Sequence, residues 1–531
     1  MRKTAITFLL TLAAFAGHAQ TAYDGLLFSE NNYEGTARSV AMGNAFTALG
    51  GDLGSITINP AGSAVAGYSQ FTITPALTIS TSTAQGVSPF TDGTLPYFER
   101  KMKSNLTSFG IPNMGLTLNY VTGRRTGVKN VTVGFVVNKS ADFNQDVYAS
   151  GKNSTTSFMG AMAVEADGYL ASDLDASDAY NNFPWTAVMA YRSGMISTFG
   201  GYDDRYVGAS ELVFDNGDIV LGGEIEQKYG RRVSGSKSDY VFNIGANISD
   251  FLYVGANFGI SSLSYYYTDY FKEAAIDPAD FEIALANGKN IHFNQMDYKY
   301  SYDAEGSGGY AKFGAILTPG NGFRFGAAIQ TPIVNTILER WQYYGATHYS
   351  EADYSASEYT PSGEYQYSFV SPFRTTFGAA YTIGSYGVVS ADYEYCDYSQ
   401  MQFRSSYYDS FEFSDVNSAI KEIFGPQHMW RFGGEARLGA LSFRAGYGFM
   451  TSPEKHFQGT YKSNFSFGFG YRSNNSFYAD FAVRKNVWNK EYYMPYSDYI
   501  YDDEGNILEP APEILITRSD WKALLTFGWR F

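Results

Sequence analysis

A chain of 531 residues with a net charge of −15 offers no basic face for phosphate, so nucleic acid is excluded as a partner. Its single cysteine, Cys396, excludes an intramolecular disulfide framework. Aromatics make up 17% of the residues, with 45 Tyr and 41 Phe, and Gly contributes 55; that bias suits many strands with aromatic girdles.

The chain opens on what reads as a signal peptide over 1–19: Arg2 and Lys3 are basic, Thr4 to Gly17 is apolar, and cleavage is expected after Ala19. No later apolar run reaches the ~20 residues of a spanning helix, which leaves a barrel as the membrane alternative. Residues 20–68 read as a plug, or hatch. Within them Gly35 to Gly62 (GTARSVAMGNAFTALGGDLGSITINPAG) is too rich in Gly and Ala for a strand or an amphipathic helix, and it can approach other surfaces closely. Asn59-Pro60 predicts a helical start, with Asn capping and Pro at the first position.

From Gln70 onward the pattern has period two, and 69–531 reads as an antiparallel transmembrane β-barrel of about fourteen strands. Phe465, Phe467, Phe469 and Tyr471 alternate with Ser466, Gly468, Gly470 and Arg472. The apolar set predicts the outer face, and the glycine-bearing set predicts a narrow, crowded lumen. Tight turns alternate with long connections. That parity places the N- and C-termini on the short-turn, periplasmic side of a Gram-negative outer membrane, and the long connections outside. The longest connection, 139–239, needs structure of its own, and Phe158 to Leu170 and Pro184 to Ile196 read as short helices with Met and aromatic faces. These either pack as a cap or form an adaptable capture surface. A further short helix is expected near 415–424. The chain ends on Phe527, Trp529 and Phe531, alternating as in a recognition signal for the barrel assembly machinery.

Seven arginines, Arg324, Arg374, Arg431, Arg437, Arg444, Arg472 and Arg484, fall on the glycine-bearing face and are expected in the lumen. One reading pairs them with acids such as Asp392, Glu394, Glu435 and Asp480 or with plug carbonyls; the other aims some of them at a ligand carboxylate. His292, His348, His428 and His456 lie at no metal-ligand spacing, so no metal is expected. A haem ligand at His428 is the weaker of two readings, beside an incidental histidine. Asp502 to Asn506 reads as a hairpin turn, not a calcium loop. No nucleophile elbow, phosphate loop or dinucleotide fingerprint occurs in a strand-to-helix setting, so neither an enzyme nor a cofactor is expected.

Gly43-Asn44-Ala45, Asp52 and Asn59-Pro60-Ala61, placed before the first strand of such a barrel, resemble the hatch motif of the FadL/TodX family of outer-membrane transporters, and the wording of the segment is similar to the Bacteroidetes branch. The resemblance implies passive uptake of hydrophobic compounds, long-chain fatty acids or aromatic hydrocarbons. Ligand would enter between extracellular loops, move to a lumen pocket beside the hatch, and leave through the wall. It implies a hydrophobic small-molecule ligand and a setting of outer-membrane lipid and lipopolysaccharide; the chain is expected to be monomeric. A scaffold role in protein secretion and a haemin receptor are the alternatives.

Overall fold

The computed structural model describes residues 21–531 except 89–96, 215–217, 286, 406–412, 458, 474–475 and 503. The expected signal peptide lies outside the described residues. Fourteen antiparallel strands close into a barrel. They are β1 (Gln70–Val87), β2 (Met102–Val121), β3 (Val128–Asp142, resuming as Gln145–Asn153), β4 (Ile225–Ile248), β5 (Leu252–Ala275), β6 (Asn290–Gly320) and β7 (Phe323–Gln330 and Val334–Tyr349). Then follow β8 (Gly363–Val370 and Arg374–Ile383), β9 (Gly387–Asp397), β10 (Pro426–Leu438), β11 (Leu441–Thr451), β12 (Thr460–Arg472), β13 (Phe477–Trp488) and β14 (Glu513–Arg530).

Alternation sets the two faces. On β14, Trp521, Leu525 and Trp529 point outward while Asp520, Lys522, Leu524 and Thr526 are buried inside. On β12, Phe465, Phe467, Phe469 and Tyr471 face outward, as the periodicity predicts. An apolar exterior bounded by tryptophans meets the requirement of a bilayer, and each of the fourteen strands pairs with a neighbour on both sides over at least part of its length. Ser249 and Asp250, both at positive φ, make the two-residue turn between β4 and β5.

The ring closes where β1 pairs with β14, from Gln70 opposite Arg530. Just below, the Ser69 and Phe531 backbones exchange hydrogen bonds of 3.2 and 3.0 Å. Phe531→Asp should therefore lower the yield of folded, heat-modifiable barrel severalfold in the outer membrane. An unchanged yield would count against an assembly signal at this end.

The connection expected over 139–239 is shorter than that, because β3 resumes to Asn153 and β4 begins at Ile225. Inside, these upper segments mix Gln145, Gln227, Tyr229 and Arg231 with Val147 and Val233, and outside they carry Glu, Lys, Arg and Ser beside Tyr148, so neither face reads as apolar alternation. The remaining connection folds into α3 (Phe158–Ala166), α4 (Ala171–Leu174), α5 (Ala179–Asn182) and α6 (Trp185–Arg192), and α7 (Ser414–Ile423) lies in a later connection. Met159, Met162, Met189 and Met195 are buried in the core that joins these helices to the barrel rim. The methionines pack; they do not present a surface.

The N-terminal segment fills the lumen with α1 (Ala22–Ser29), α2 (Ala37–Ala41) and two 3-10 turns, Leu53–Thr57 and Pro60–Val65. It can do so because the wall facing it is glycine. A Cβ on Gly326 would lie 2.0 Å from Thr47 O, on Gly314 1.9 Å from Asn59 Oδ1, and on Gly446 2.1 Å from Gly43 N. Gly255, Gly433 and Gly468 meet Pro60, Met42 and Ala41 in the same way. This belt of close contacts explains why glycine occupies the inner face.

Candidate functional site

The site comprises the plug, the cations that hold it, a chamber above it and a break in the wall beside it.

Asn59 caps the Pro60 turn as predicted, accepting from Ala61 N at 3.1 Å, while its Nδ2 donates to Thr47 O at 2.7 Å and to Ala315 O on β6 at 3.1 Å. Asn243 and Asn257, on β4 and β5, donate to Pro60 O and Ile56 O at 3.0 and 2.8 Å. Asp52 caps the Leu53 turn, accepting from Gly54 N and from Thr36 Oγ1 at 2.8 and 2.7 Å. Gly43 and Asn44 both take positive φ, and Asn44 Nδ2 donates to Tyr33 O at 2.6 Å. Ala45 is fully buried. The residues of the resemblance thus lie together inside the barrel.

The arginines divide into two groups. Arg374, Arg431, Arg444 and Arg484 are buried and paired with acids: Arg374 to Glu394 at 3.1 Å, Arg431 to Glu394 at 3.3 Å, and Arg444 to Glu435 and Asp480 at 2.7 and 2.6 Å. Arg484 pairs with Glu34 of the plug at 2.6 Å. Arg437 binds Glu435 at the rim, and Arg324 and Arg472 sit on the lumen side of the short-turn end with no ion pair among the described residues. Glu435 also binds Arg38 of the plug at 2.9 Å.

The arginines share their work with lysines that sequence reading passed over. Lys237 donates to Phe28 O and Glu30 O at 3.0 and 2.6 Å, and Arg374 donates to Ser29 O at 2.6 Å. These carbonyls belong to the C-terminal end of α1, where helix oxygens lack internal partners and the dipole is negative. Lys462 donates to Asn32 Oδ1 at 2.6 Å, and Lys522 joins Arg484 on Glu34 at 2.8 Å. Arg431 and Lys312 stand over the Tyr33 ring at 4.6 and 5.4 Å. Residues 28–34 are thereby held by a collar of cations from β4, β6, β8, β10, β12, β13 and β14. Burial alone would raise the Glu34 carboxyl, yet Arg484 and Lys522 outweigh it and hold it down at about 2. Lys312, Lys462 and Lys522 share the inward parity of the arginines, which was the available signal; Lys237 fell within the expected loop.

Above the collar, Tyr265, Tyr267, Tyr300, Tyr302, Tyr343 and Tyr365 point inward and keep a minor part of their surface exposed. Tyr300 and Tyr343 stack at 4.8 Å, and Tyr302 donates to Glu339 at 2.7 Å. Arg231 lies 4.4 Å over the Tyr493 ring and pairs with Glu491 at 2.6 Å. The chamber offers ring faces with a few charged groups, the lining expected of a site for apolar or aromatic molecules.

The ladder of the wall is interrupted beside the plug. β2 pairs with β3 only from Asn113–Asn138 downward, and Met102–Pro112 pairs with β1 alone. Pro75 and Pro112 lie at the register shift between β1 and β2 and have no amide to donate to a ladder. Beyond Asn138 β3 has no ladder with β2, and its Ser140 O accepts instead from Asn32 N of the plug at 2.7 Å; higher up the resumed β3 packs back against β1 and β2, where Gln145 Nε2 donates to Ser82 Oγ at 3.3 Å. Plug and break are therefore in direct contact.

His428 faces outward beside Tyr393, whose hydroxyl it meets at 2.8 Å, away from the lumen. Among the described residues no cluster of His, Cys, Asp or Glu has the arrangement of a metal site.

No family model and no curated protein matches the sequence. Solved structures do match its fold. A Pseudomonas aeruginosa FadL homologue is 11% identical, with 95% of this chain and 100% of that chain covered and a TM-score of 0.51. The P. putida toluene transporter TodX is 12% identical, with 94% and 99% covered and a TM-score of 0.50. The barrel has the FadL/TodX fold.

Proposed function

We propose that this barrel lies in a Gram-negative outer membrane, of the Bacteroidetes type that its hatch resembles, and passively admits hydrophobic compounds, long-chain fatty acids or aromatic hydrocarbons. The observation that carries the reading is the break between β2 and β3, because a transporter of apolar solutes gains by releasing them into membrane and not into water. Ligand would collect in the tyrosine chamber, where burial favours it by about 25 cal/mol per Å² of apolar surface. Movement of residues 28–34 would then open a path from the chamber to the break, since Asn32 bonds the edge of β3 there. In this account Gly43, Asn44, Ala45, Asp52, Asn59, Pro60 and Ala61 form the gate, and the paired arginines anchor it. The toluene transporter in the fold comparison supports the solute class. A secretion scaffold would favour a sealed lumen, and a haemin site at His428 would need that residue to face inward.

The chamber can be tested directly. Tyr300→Ala with Tyr343→Ala removes a stacked pair, and each such pair contributes about 0.5 to 1.5 kcal/mol beyond burial. The double variant should bind a fluorescent aromatic probe roughly tenfold more weakly than wild type. Equal affinity, with the barrel folded, would remove the chamber from the pathway.

A further inference from the structure

On β4 through β8 the wall continues far above its apolar band, while β9 to β13 stop near it. The last apolar row on the outside runs Tyr240, Ile260, Gly309, Val334 and Val370. The next row is entirely hydroxyl-bearing: Ser238, Ser262, Ser307, Thr336 and Ser368. Higher still, Tyr266, Asp303, Arg340 and Glu364 form a row in which Arg340 pairs with both acids, at 3.4 and 2.8 Å. Above these a stripe of rings crosses the sheet: Tyr148, Tyr270, Tyr344 and Tyr359, with Lys299 Nζ 5.8 Å over the Tyr270 ring. Tyr270 and Tyr359 are 48% and 61% exposed, and Tyr344 and Tyr359 lie 4.4 Å apart.

We infer that this outer face of the raised wall is a saccharide-docking surface for the oligosaccharide of outer-leaflet glycolipid. Three features select the occupant. Exposed tyrosine faces stack against the C–H faces of sugar rings, and fixed carboxylate, guanidinium and hydroxyl groups between them match sugar hydroxyls, which both donate and accept. Opposite charges are already paired, so the face suits the hydroxyl-rich rings of an oligosaccharide better than an isolated phosphate. Height settles between lipids. From Tyr240 to Gly230 the strand climbs ten residues, roughly 33 Å of strand length. A phospholipid headgroup layer of about 5 to 7 Å reaches only the hydroxyl row. A glycolipid carrying an oligosaccharide reaches the tyrosine stripe as well.

The inference rests on the outer-membrane reading with long connections outside, and its test separates the two. A Tyr359→Cys, Cys396→Ala barrel on intact cells should react with an impermeant thiol reagent; failure to react in folded barrel overturns the orientation, and the inference with it. Purified wild type should bind core oligosaccharide released from lipopolysaccharide by mild acid, and the folded triple variant Tyr270→Ser, Tyr344→Ser, Tyr359→Ser should bind it at least tenfold more weakly. Equal binding by the two, no binding by wild type, or retention of lipid A alone overturns the saccharide surface while leaving the transport reading intact.

Discussion

Replacing Glu34 by alanine should release the plug from the wall. The change leaves the Arg484 guanidinium and the Lys522 ammonium, each about as buried as Glu34 itself, without their shared acid. Removing one partner of a buried ion pair costs about 3 to 5 kcal/mol, because the remaining charge has lost its solvent and gained nothing. Placed on the plug equilibrium, that shifts the open fraction by roughly a hundredfold or more. The barrel itself should stay folded, since its closure depends on strand pairing and not on the plug. Protease nicking within residues 28–36 of heat-modifiable barrel measures the release; an uncut variant would mean that the collar does not hold the plug. The same pair sets a pH window. The folded Glu34 carboxyl lies at about 2 against an ordinary 4.5, so its stabilisation is complete above the ordinary value and disappears as pH falls from about 4.5 towards 2. Wild type should resist nicking at neutral pH and become nicked only in that acid range.

Asn59→Ala should loosen the other end of the plug. It strips the hydrogen bonds to Thr47 O and Ala315 O and the cap on Ala61 N, all in buried surroundings. A buried polar group left unsatisfied costs about 1 to 3 kcal/mol, so the local loss should be several kcal/mol. Gly314→Ala makes the same point from the wall, because its Cβ would fall 1.9 Å from Asn59 Oδ1 and must displace that side chain. Both variants should speed amide exchange in residues 56–64 by roughly a hundredfold or more, while strand amides exchange as in wild type. If either leaves exchange at 56–64 unchanged, Asn59 is no anchor.

The outer face of the barrel was legible because a bilayer imposes apolar residues at every second position, as on β12 and β13. The NPA turn was legible because Asn and Pro each have one favourable place at a helix start. Tyr267 and Tyr300 were not, since above the bilayer no apolar stripe is demanded and both faces of β5 and β6 turn polar. That is also why β4 begins at Ile225, fifteen residues before the position where periodicity reveals it. The collar was half legible. Inward parity found Arg374, Arg431 and Arg484, but their partners Glu34 and the carbonyls of α1 are brought to them only by the fold. The break between β2 and β3 left no such mark; the prolines nearest to it, Pro75 and Pro112, sit at the β1–β2 register shift, and only the fold shows that β3 leaves the ladder at that level.

Lateral release through that break is the central claim, and uptake by a single protein before and after plugging the break tests it most directly. Gly110 lies on β2 just above the last residue paired with β3, where an added Cβ would lie 3.9 Å from Lys139 Nζ. In a Gly110→Cys, Cys396→Ala barrel, uptake of a fluorescent long-chain fatty acid should match wild type and exceed that of cells lacking the protein. After reaction with a bulky, membrane-permeant maleimide it should fall about tenfold, whereas the Cys396→Ala control treated alike should not change. Undiminished uptake after complete labelling would contradict a side exit, and uptake no greater than in cells without the protein would contradict transport itself.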